Sequence, residues 1–320
     1  MAWEFERAVV TGGAGFLGSY FCDRLVESGT DVVCVDNLIT GDVRNVDHLE
    51  GRTGFHRMDV DVAAGLRVPG HVDLVMHLAC PASPEDYQRL PLATLRSGGF
   101  GTMHALDLAA AKSARFVLAS TSEVYGDPQV HPQPETYWGN VNPVGPRSCY
   151  DEAKRYAEAL TVAHRGASGL NTGIARIFNT YGPRMRGKDG RLVPTLIGQA
   201  LRGAPLTVHG DGSQTRSLCY VDDTVSGLLA LAASDAAGPI NIGNPRELPV
   251  RWIAEEIAAV AGGEASIEHT GGSPDDPQRR CPDIGSARGE LGWSPRVSLR
   301  DGLAATVDWY RAASSVQTAR

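Results

Sequence analysis

The 320-residue sequence has no stretch close to 18 consecutive apolar residues, which is about the length that a membrane-spanning helix needs. It also has no internal repeat and no low-complexity segment, and its 42% hydrophobic and 21% charged residues are typical of a folded chain. The N-terminal stretch MAWEFERAVVTGG lacks a basic segment followed by an apolar one, so no secretory signal is visible. We therefore expect a soluble, cytoplasmic protein that binds no membrane.

Cysteine is scarce and scattered along the chain. The six cysteines are Cys22, Cys34, Cys80, Cys149, Cys219 and Cys281. None of them forms a C-x-x-C pair, and this spacing argues against both a zinc site and a disulfide framework. We therefore predict reduced, mostly buried thiols and no bound metal.

An excess of positive charge is missing as well, because the formal net charge is -7. A protein that binds nucleic acid needs a dominant basic face, so we expect no nucleic-acid partner. A few local arginines would still suffice to hold an anionic small molecule. The length of the chain is that of an enzyme with a large core, in one two-layered unit or two domains.

Strand-like and helix-like segments alternate along the first half of the chain. The strand-like runs are RAVVTG, DVVCVD, LVMHLA, RFVLAS and NTGIARIF, and helix-like runs such as LGSYFCDRLVESG lie between them. This alternation predicts an α/β fold with a Rossmann-type, doubly wound parallel sheet. After about residue 178, loops rich in Gly, Pro and Arg indicate a smaller, mixed α/β C-terminal domain. We predict a first domain over residues 1–177 and a substrate domain over 178–320, with part of residues 219–243 packing back onto the first.

A glycine-rich turn follows the first predicted strand. In TGGAGFLG, Gly12, Gly15 and Gly18 are three residues apart and open a helix, a pattern that lets the backbone approach a pyrophosphate. Such a triplet is weak evidence alone, since it also serves as a simple turn. Asp36 ends the second strand, where a carboxylate accepts hydrogen bonds from both ribose hydroxyls and repels a 2′-phosphate. We therefore predict NAD rather than NADP, the alternative role of Asp36 being a helix N-cap.

Small or polar residues also end the later strands, where a dinucleotide would lie. Asp59 and Val60 are positioned to meet the adenine, and Ala79 lies beside the ribose. The predicted cofactor set is Gly12, Gly15, Phe16, Leu17, Gly18, Asp36, Asn37, Asp59, Val60, Leu78, Ala79, Tyr150 and Lys154.

Tyr150 and Lys154 lie one turn apart on a predicted helix, in CYDEAKR, so their side chains share a face. An ammonium beside a phenol lowers the pKa of the phenol from about 10, which makes a general base for a hydroxyl proton. Many helices carry such a pair by chance. The preceding glycine turn and Asp36 favour the catalytic interpretation.

The stretch STSEVYG places Thr121, Ser122, Glu123 and Tyr125 directly after the apolar run FVLA. Strand ends of α/β proteins carry catalytic residues, but they also carry ordinary capping residues. The residues alone leave both interpretations open.

Several longer segments identify a family. They are GGAGFLGS, STSEVYGDPQVHPQ, YWGNVNPVGPRSCYDEAKR, ARIFNTYGPRM, GDGSQTRSLCYVDD, NIGNP and DDPQRRCPDI. In them the sequence resembles the extended short-chain dehydrogenase/reductases and, within these, the UDP-glucuronate decarboxylases, over nearly the whole chain. The resemblance implies a retained NAD, UDP-glucuronate as substrate, and UDP-xylose and carbon dioxide as products.

The resemblance also implies roles for single residues. Tyr150 would act as base and later acid at O4 of the sugar, Lys154 would tune its pKa, and Thr121 would orient the hydroxyl. Ser122, Glu123 and Arg216 would surround C5 and C6, with Arg216 closest to the sugar. The expected nucleotide-sugar contacts are Asn179, Arg191, Arg216 and Arg280, whereas Arg186 and Lys188 are left open between binding and simple solvation.

Three alternatives and one departure accompany the resemblance. A UDP-sugar 4-epimerase is the nearest enzyme alternative, a dehydratase is disfavoured because Ser122 cannot supply its acid, and a binding protein that senses NAD or a nucleotide sugar is the alternative from another class. Relatives read NxxGT where this sequence has SGGFGT, so Gly98 takes the place of an asparagine. The family also forms dimers through the helices TMHALDLAAAKSA and YDEAKRYAEALTVAH, so we expect a homodimer, although burial of these apolar helices within the monomer is equally compatible with the sequence.

Overall fold

The computed structural model of the chain describes residues 5–263, 266–271 and 279–318. Residues 275–278 of the DDPQRRCPDI segment therefore lie outside the described residues. Within the described part of the chain, no helix is both long enough and apolar enough to cross a membrane.

Thirteen strands lie within these described ranges. They are β1 (Arg7–Thr11), β2 (Asp31–Asp36), β3 (Phe55–Asp59), β4 (Leu74–His77), β5 (Arg115–Thr121), β6 (Thr172–Ile177), β7 (Thr180–Tyr181), β8 (Leu206–His209), β9 (Thr215–Ser217), β10 (Cys219–Tyr220), β11 (Ile240–Ile242), β12 (Glu247–Pro249) and β13 (Ile267–Thr270).

Ten α-helices connect or cover these strands in the described residues. They are α1 (Phe16–Glu27), α2 (Pro84–Arg89), α3 (Pro91–Arg96), α4 (Thr102–Lys112), α5 (Ser148–Ser168), α6 (Leu192–Leu201), α7 (Val221–Ala232), α8 (Val250–Ala261), α9 (Gly285–Leu291) and α10 (Leu299–Thr318). A π-helical turn over Ser97–Gly101 joins α3 to α4, and a 3₁₀ turn over Ser122–Tyr125 follows β5.

Seven strands form one parallel sheet in the order β3-β2-β1-β4-β5-β6-β11. The inner strands are largely buried because helices cover both faces of the sheet; all seven residues of β5, for example, are buried, whereas the edge strand β3 is mostly exposed. The predicted Rossmann-type fold is confirmed. The strand order reverses between β1 and β4, and ligands of such sheets bind in the crevice at the carboxyl ends beside this reversal.

Three apolar cores hold the molecule together. The first packs one face of the sheet against α1 and α7, and the second packs the other face against α4 and α5. The third joins α6, α8 and α10 around residues such as Leu196 and Ile253. β11 pairs with β6, and α7 belongs to the first core, so residues 221–242 include elements that lie on the sheet. The division of the chain at residue 177 stays a prediction.

Candidate active site

A cavity of about 640 Å³ opens at the carboxyl ends of the parallel strands, between the sheet and the third core. Its volume falls within the range of roughly 300 to 1,000 Å³ that is usual for small-molecule sites. Most of the predicted site residues line it, namely Gly12, Gly15, Phe16, Leu17, Gly18, Leu78, Thr121, Ser122, Glu123, Tyr150, Lys154, Asn179, Arg191, Arg216 and Arg280. Residues from distant parts of the chain therefore meet at one edge of the sheet.

The glycine turn has the shape that a dinucleotide cradle needs. A Cβ atom on Gly12 would lie 2.8 Å from the backbone N of Ala79, and one on Gly18 would lie 2.0 Å from the carbonyl oxygen of Gly12. Gly12 also has a φ of 70°, in the left-handed region. The first turn of α1, all of it described, has no capping side chain and no acidic residue, so its N–H groups can hold a phosphate. These residues fit the diphosphate of NAD.

Five predicted cofactor residues are not among those that line the cavity. They are Asp36, Asn37, Asp59, Val60 and Ala79. The Asp36 carboxylate accepts hydrogen bonds from the backbone N–H groups of Ala14 (3.0 Å) and Leu38 (2.8 Å), so it lies directly against the glycine turn. The backbone N–H of Val60 donates to the carbonyl oxygen of Asp36 at 3.1 Å. Asp36 and Val60 therefore form one group beside the cavity, at the adjoining ends of β2 and β3.

Tyr150 and Lys154 share one face of α5, as predicted, and both are buried. Lys154 Nζ donates to the carbonyl oxygen of Ala119 at 2.8 Å and lies 5.9 Å from the centre of the Tyr150 ring. Burial raises the pKa of Tyr150, while a hydrogen bond with Thr121 and the positive charge of Arg191 act in the opposite direction. The prediction that Lys154 lowers the pKa of Tyr150 stays a prediction.

The polar residues at the end of β5 and after it include both residues that line the cavity and residues with structural roles. Thr121 caps the 3₁₀ turn, its hydroxyl accepting a hydrogen bond from the backbone N–H of Glu123 at 3.2 Å, and it also lines the cavity beside Tyr150. Tyr125 is structural, because its hydroxyl donates to Asn241 Oδ1 at 2.8 Å. Ser122 is buried and lines the cavity.

Glu123 lies between two arginines. Both Arg147 and Arg280 donate to its carboxylate, with Arg280 Nη2 at 3.1 Å from Oε2. Burial would raise the pKa of Glu123, but the charges of Arg280 and Arg147 outweigh it and hold the pKa below its ordinary value. The group is a carboxylate that accepts hydrogen bonds from two guanidiniums.

The other predicted substrate residues line the wall that residues 179–218 contribute to the cavity. Arg191 is paired with the buried Asp189, with Nη2 and Oδ2 2.6 Å apart. Arg216, on β9, donates to the carbonyl oxygen of Thr215 at 2.8 Å. Arg280 makes an ion pair with Glu123, and the expectation that Arg216 lies closest to the sugar stays a prediction.

Sequence reasoning missed several residues of the site. Tyr87 stacks on Tyr150, with ring centres 5.1 Å apart, and its buried hydroxyl has no hydrogen-bond partner among the described residues. Asp86, on the same helix, pairs with Arg186, which thus lines the cavity as a paired cation. Arg147 lies three residues before Tyr150 in the segment YWGNVNPVGPRSCYDEAKR. This closeness in sequence is the signal that could have indicated its role in the site. Nothing in the sequence connects residues 86 and 87 to the site.

Asp151 is a further titratable group beside the site. It is buried next to Tyr150, and burial, followed by the charge of Glu123, raises its pKa to about 7. Its Oδ1 atom has no hydrogen-bond partner in the described part of the chain. Asp151 therefore changes charge near neutral pH, while the neighbouring Glu123 stays ionised.

The arrangement has the parts of a sugar-nucleotide oxidoreductase site, and comparison with known proteins identifies its family. The model of the NAD dependent epimerase/dehydratase family matches residues 8–243. The chain belongs to this family. The family is NAD dependent by its description, in agreement with the predicted cofactor and with the shape of the glycine turn.

Individual family members are similar over nearly the whole chain. UDP-glucuronic acid decarboxylase 1 of Arabidopsis thaliana is 49% identical over 305 residues, which are 95% of this chain and 70% of that protein. The structure of UDP-glucose 4-epimerase from Thermotoga maritima, with UDP-glucose, is 28% identical and has a TM-score of 0.88, covering 96% of this chain and 99% of that one. UDP-glucuronic acid 4-epimerase from Bacillus cereus, in complex with UDP-glucuronic acid and NAD, is 28% identical with a TM-score of 0.83, covering 96% of this chain and 99% of that one.

Proposed function

We propose that the protein is an NAD-dependent decarboxylase that converts UDP-glucuronate to UDP-xylose and carbon dioxide. The observation that carries the proposal is the group formed by Glu123, Arg147 and Arg280 beside Tyr150 at the end of β5. The identity of 49% to a UDP-glucuronic acid decarboxylase, against 28% to the epimerases, supports it.

The guanidiniums of this group favour an acidic sugar. Arg147 and Arg280 bring two guanidiniums to one end of the cavity, where charge-assisted hydrogen bonds are strong. A C6 carboxylate can accept hydrogen bonds from a guanidinium in the paired geometry that suits both groups, whereas the C6 hydroxyl of a neutral hexose cannot. Arg147 and Arg280 are therefore the groups that we expect to hold the carboxylate of the substrate until it leaves as carbon dioxide.

Tyr150 and Thr121 would act at O4 of the sugar. NAD, held at the glycine turn, would supply the hydride acceptor and later the hydride donor for C4, together with the positive charge of its oxidised ring. Tyr150 accepts the O4 proton during the oxidation and donates it back during the reduction, with Thr121 orienting the hydroxyl. Burial raises the pKa of Tyr150, so this proton transfer depends on positive charge close to the phenol. Arg191 supplies part of that positive charge.

Loss of carbon dioxide follows from the C4 ketone, which is β to the C6 carboxylate and takes up the electrons of the breaking C5–C6 bond as an enolate. C5 must then receive a proton. Ser122 and Glu123 directly follow β5. We assign these two side chains to the surroundings of C5. Since the pKa of Glu123 is held low, we assign Glu123 to positioning Arg147 and Arg280 and a water molecule to the delivery of the proton.

The remaining polar wall would hold the nucleotide. Asn179, Arg191 and Arg216 line the cavity on the side of the third core, and arginines match the diphosphate in charge and geometry. We accordingly propose that residues 1–177 bind NAD and that residues 178–320 bind the UDP part of the substrate. Asp36, at the end of β2, is the proposed partner of the ribose.

We also propose that the protein forms a homodimer and acts in the cytoplasm. The apolar residues of α4 are buried within the monomer, whereas large apolar side chains of α3, the π-helical turn and α5 are exposed. All six cysteines are free thiols, which suits a reducing compartment, and fractionation of the producing cells would test this.

Incubation of UDP-glucuronate with the purified protein in heavy water, without added reductant, tests the proposed reaction. We expect UDP-xylose that carries one deuterium at C5, because the C5–C6 bond breaks and C5 is refilled from solvent, and one carbon dioxide per turnover. Mass spectrometry and NMR of the product give both quantities.

Other outcomes would replace the proposal. A product that keeps its carboxylate and is inverted at C4, without deuterium at C5, would make the protein a 4-epimerase. No product and no change in nicotinamide absorbance on addition of UDP-glucuronate would make it a binding protein. A dehydratase needs a hydroxyl at C6, so no reaction with UDP-glucuronate but loss of water from UDP-glucose, with deuterium incorporated at C5, would make it a dehydratase.

A further inference from the structure

A cluster of three metal-binding side chains lies outside the cavity. His131, Glu247 and Cys281 come from three distant parts of the chain, and their ligand atoms all lie within 4.8 Å of one another. His131 Nε2 is 3.0 Å from Glu247 Oε2. None of the three is among the residues that line the active-site cavity.

We propose that these three side chains bind Zn²⁺. An imidazole, a thiolate and a carboxylate are the ligand types that zinc combines in proteins, and three protein ligands leave the fourth tetrahedral position to a water molecule. The thiolate disfavours Mg²⁺ and Ca²⁺, which take oxygen ligands. The proposal differs from the expectation of no metal site, which considered spacing within the sequence and not the fold.

The backbone around the cluster is held in place. The N–H of Gln133 donates to the carbonyl oxygen of Cys281 at 2.9 Å, and the N–H of Cys281 donates to Gln133 Oε1 at 2.9 Å. Gln133 is fully buried. Glu247 opens β12, which pairs with β9. The segments that carry the three ligands are therefore fixed before any metal binds, and such preorganisation lowers the cost of ordering on binding.

The charges around the cluster are compatible with a cation. Thr215 donates to Glu247 Oε1, which leaves Oε2 directed at His131. The guanidinium of Arg279 is 3.7 Å from Glu247 Oε1, and this positive charge would have to move away. Its side chain is 61% exposed, so the ion pair is weak and its loss is cheap.

Titration with Co²⁺, a spectroscopic substitute for Zn²⁺, tests the site in the intact protein. We expect one Co²⁺ per chain, a thiolate-to-cobalt absorption band in the near ultraviolet, and visible bands of tetrahedral intensity. Because the metal binds the folded state, added Zn²⁺ should also raise the Tm. Cys281→Ser should abolish the thiolate band and the rise in Tm, whereas Cys149→Ser, at a half-buried cysteine outside the cluster, should retain both.

A second variant keeps the test valid if Cys281→Ser does not fold, which circular dichroism would reveal. His131→Gln keeps the thiol and should weaken Co²⁺ binding at least tenfold. Absence of a thiolate band in the parent protein would overturn the proposal, as would an equal band in Cys281→Ser or unchanged Co²⁺ affinity in His131→Gln. These measurements do not involve UDP-glucuronate, so their failure is distinguishable from failure of the proposed reaction.

Discussion

At the scale of single residues, the proposed chemistry depends on a carboxylate that stays ionised inside the protein. Glu123 is buried, which alone would raise its pKa, yet its pKa is lowered because Arg280 and Arg147 both donate to it. A group whose folded pKa is below its unfolded value stabilises the fold above the unfolded pKa, and this contribution is lost as the pH falls through the folded pKa. The three residues are thus coupled in stability as well as in the proposed catalysis.

Arg147→Gln should therefore change the pH dependence of the reaction as well as its rate. Removing one charge-assisted hydrogen bond costs on the order of 1.5 to 3 kcal/mol, so kcat/KM for UDP-glucuronate should fall at least tenfold. Loss of the positive charge also raises the pKa of Glu123, so the acidic limb of the pH profile should move to higher pH. Initial rates from about pH 3.5 to pH 9 measure both effects, because the pKa of Glu123 in the parent lies below the ordinary value of about 4.3.

Lys188→Gln is the matched control for this variant, because Lys188 is exposed and is not among the residues that line the cavity. It should leave both the rate and the pH profile unchanged. If Arg147→Gln reduced the rate but left the acidic limb where it is in the parent, Arg147 would act on the substrate and not on Glu123.

The residues that sequence reasoning found and missed differ in a simple physical way. Thr121 lies at the end of a predicted strand, and Tyr150 and Lys154 lie one turn apart on a predicted helix. Their presence in one site could therefore be predicted from the positions of strand ends and from helical spacing. The partner of Lys154, the carbonyl oxygen of Ala119, could not be predicted, because it depends on the packing of α5 against β5. The same limit applies to Tyr87, whose stacking on Tyr150 joins residues 63 positions apart.

At the scale of elements, the π-helical turn explains the glycine that replaces the usual asparagine. A Cβ atom on Gly98 would lie 2.6 Å from the Cβ of Ala153 on α5, so this turn and the catalytic helix are in close contact. The carbonyl oxygen of Gly98 accepts from Thr102 Oγ1 at 2.7 Å, and Thr102 lies 3.1 Å from Nε2 of the buried His77. The contact therefore connects α5 to the strand end that carries Leu78.

Gly98→Ala should destabilise the protein, because the added methyl group has no space beside Ala153. Overpacking of this kind costs about 1 to 3 kcal/mol in the free energy of unfolding. Ala153→Gly should relieve the clash, although by itself it costs about 1 kcal/mol in helix propensity. Urea denaturation of both single variants and the double variant gives the coupling energy.

We expect the double variant to lose less free energy of unfolding than the two single variants lose together. Strict additivity would mean that the two positions do not compete for space. The same geometry predicts that Gly98→Asn is also destabilising, because its Cβ would meet Ala153 at the same distance.

At the scale of the whole molecule, most strands of the sheet could be predicted from alternating strand-like and helix-like runs, whereas the order of the strands in the sheet is known from the structure. The third core could not be derived in the same way. It joins α6, α8 and α10 with the short pair of β8 and β13, and these elements lie up to about 120 residues apart. Short strands between glycine-rich loops carry a weak periodic signal, and their pairing is decided by packing.

Large apolar side chains are exposed on one surface of the protein, and they bear on its assembly. Leu92 is 69% exposed, Phe100 55%, Tyr156 53% and Val162 51%, and they lie on α3, the π-helical turn and α5, which pack side by side. An apolar surface of this kind marks an interface, and a twofold axis would pair it with its own copy. We expect a dimer by sedimentation equilibrium, and Phe100→Glu should convert it to a monomer by burying an unpaired charge. Val130→Glu, at an exposed apolar residue outside these helices, should stay dimeric. A monomeric parent protein would contradict the assignment, and a Phe100→Glu variant that remains dimeric would move the interface to another surface.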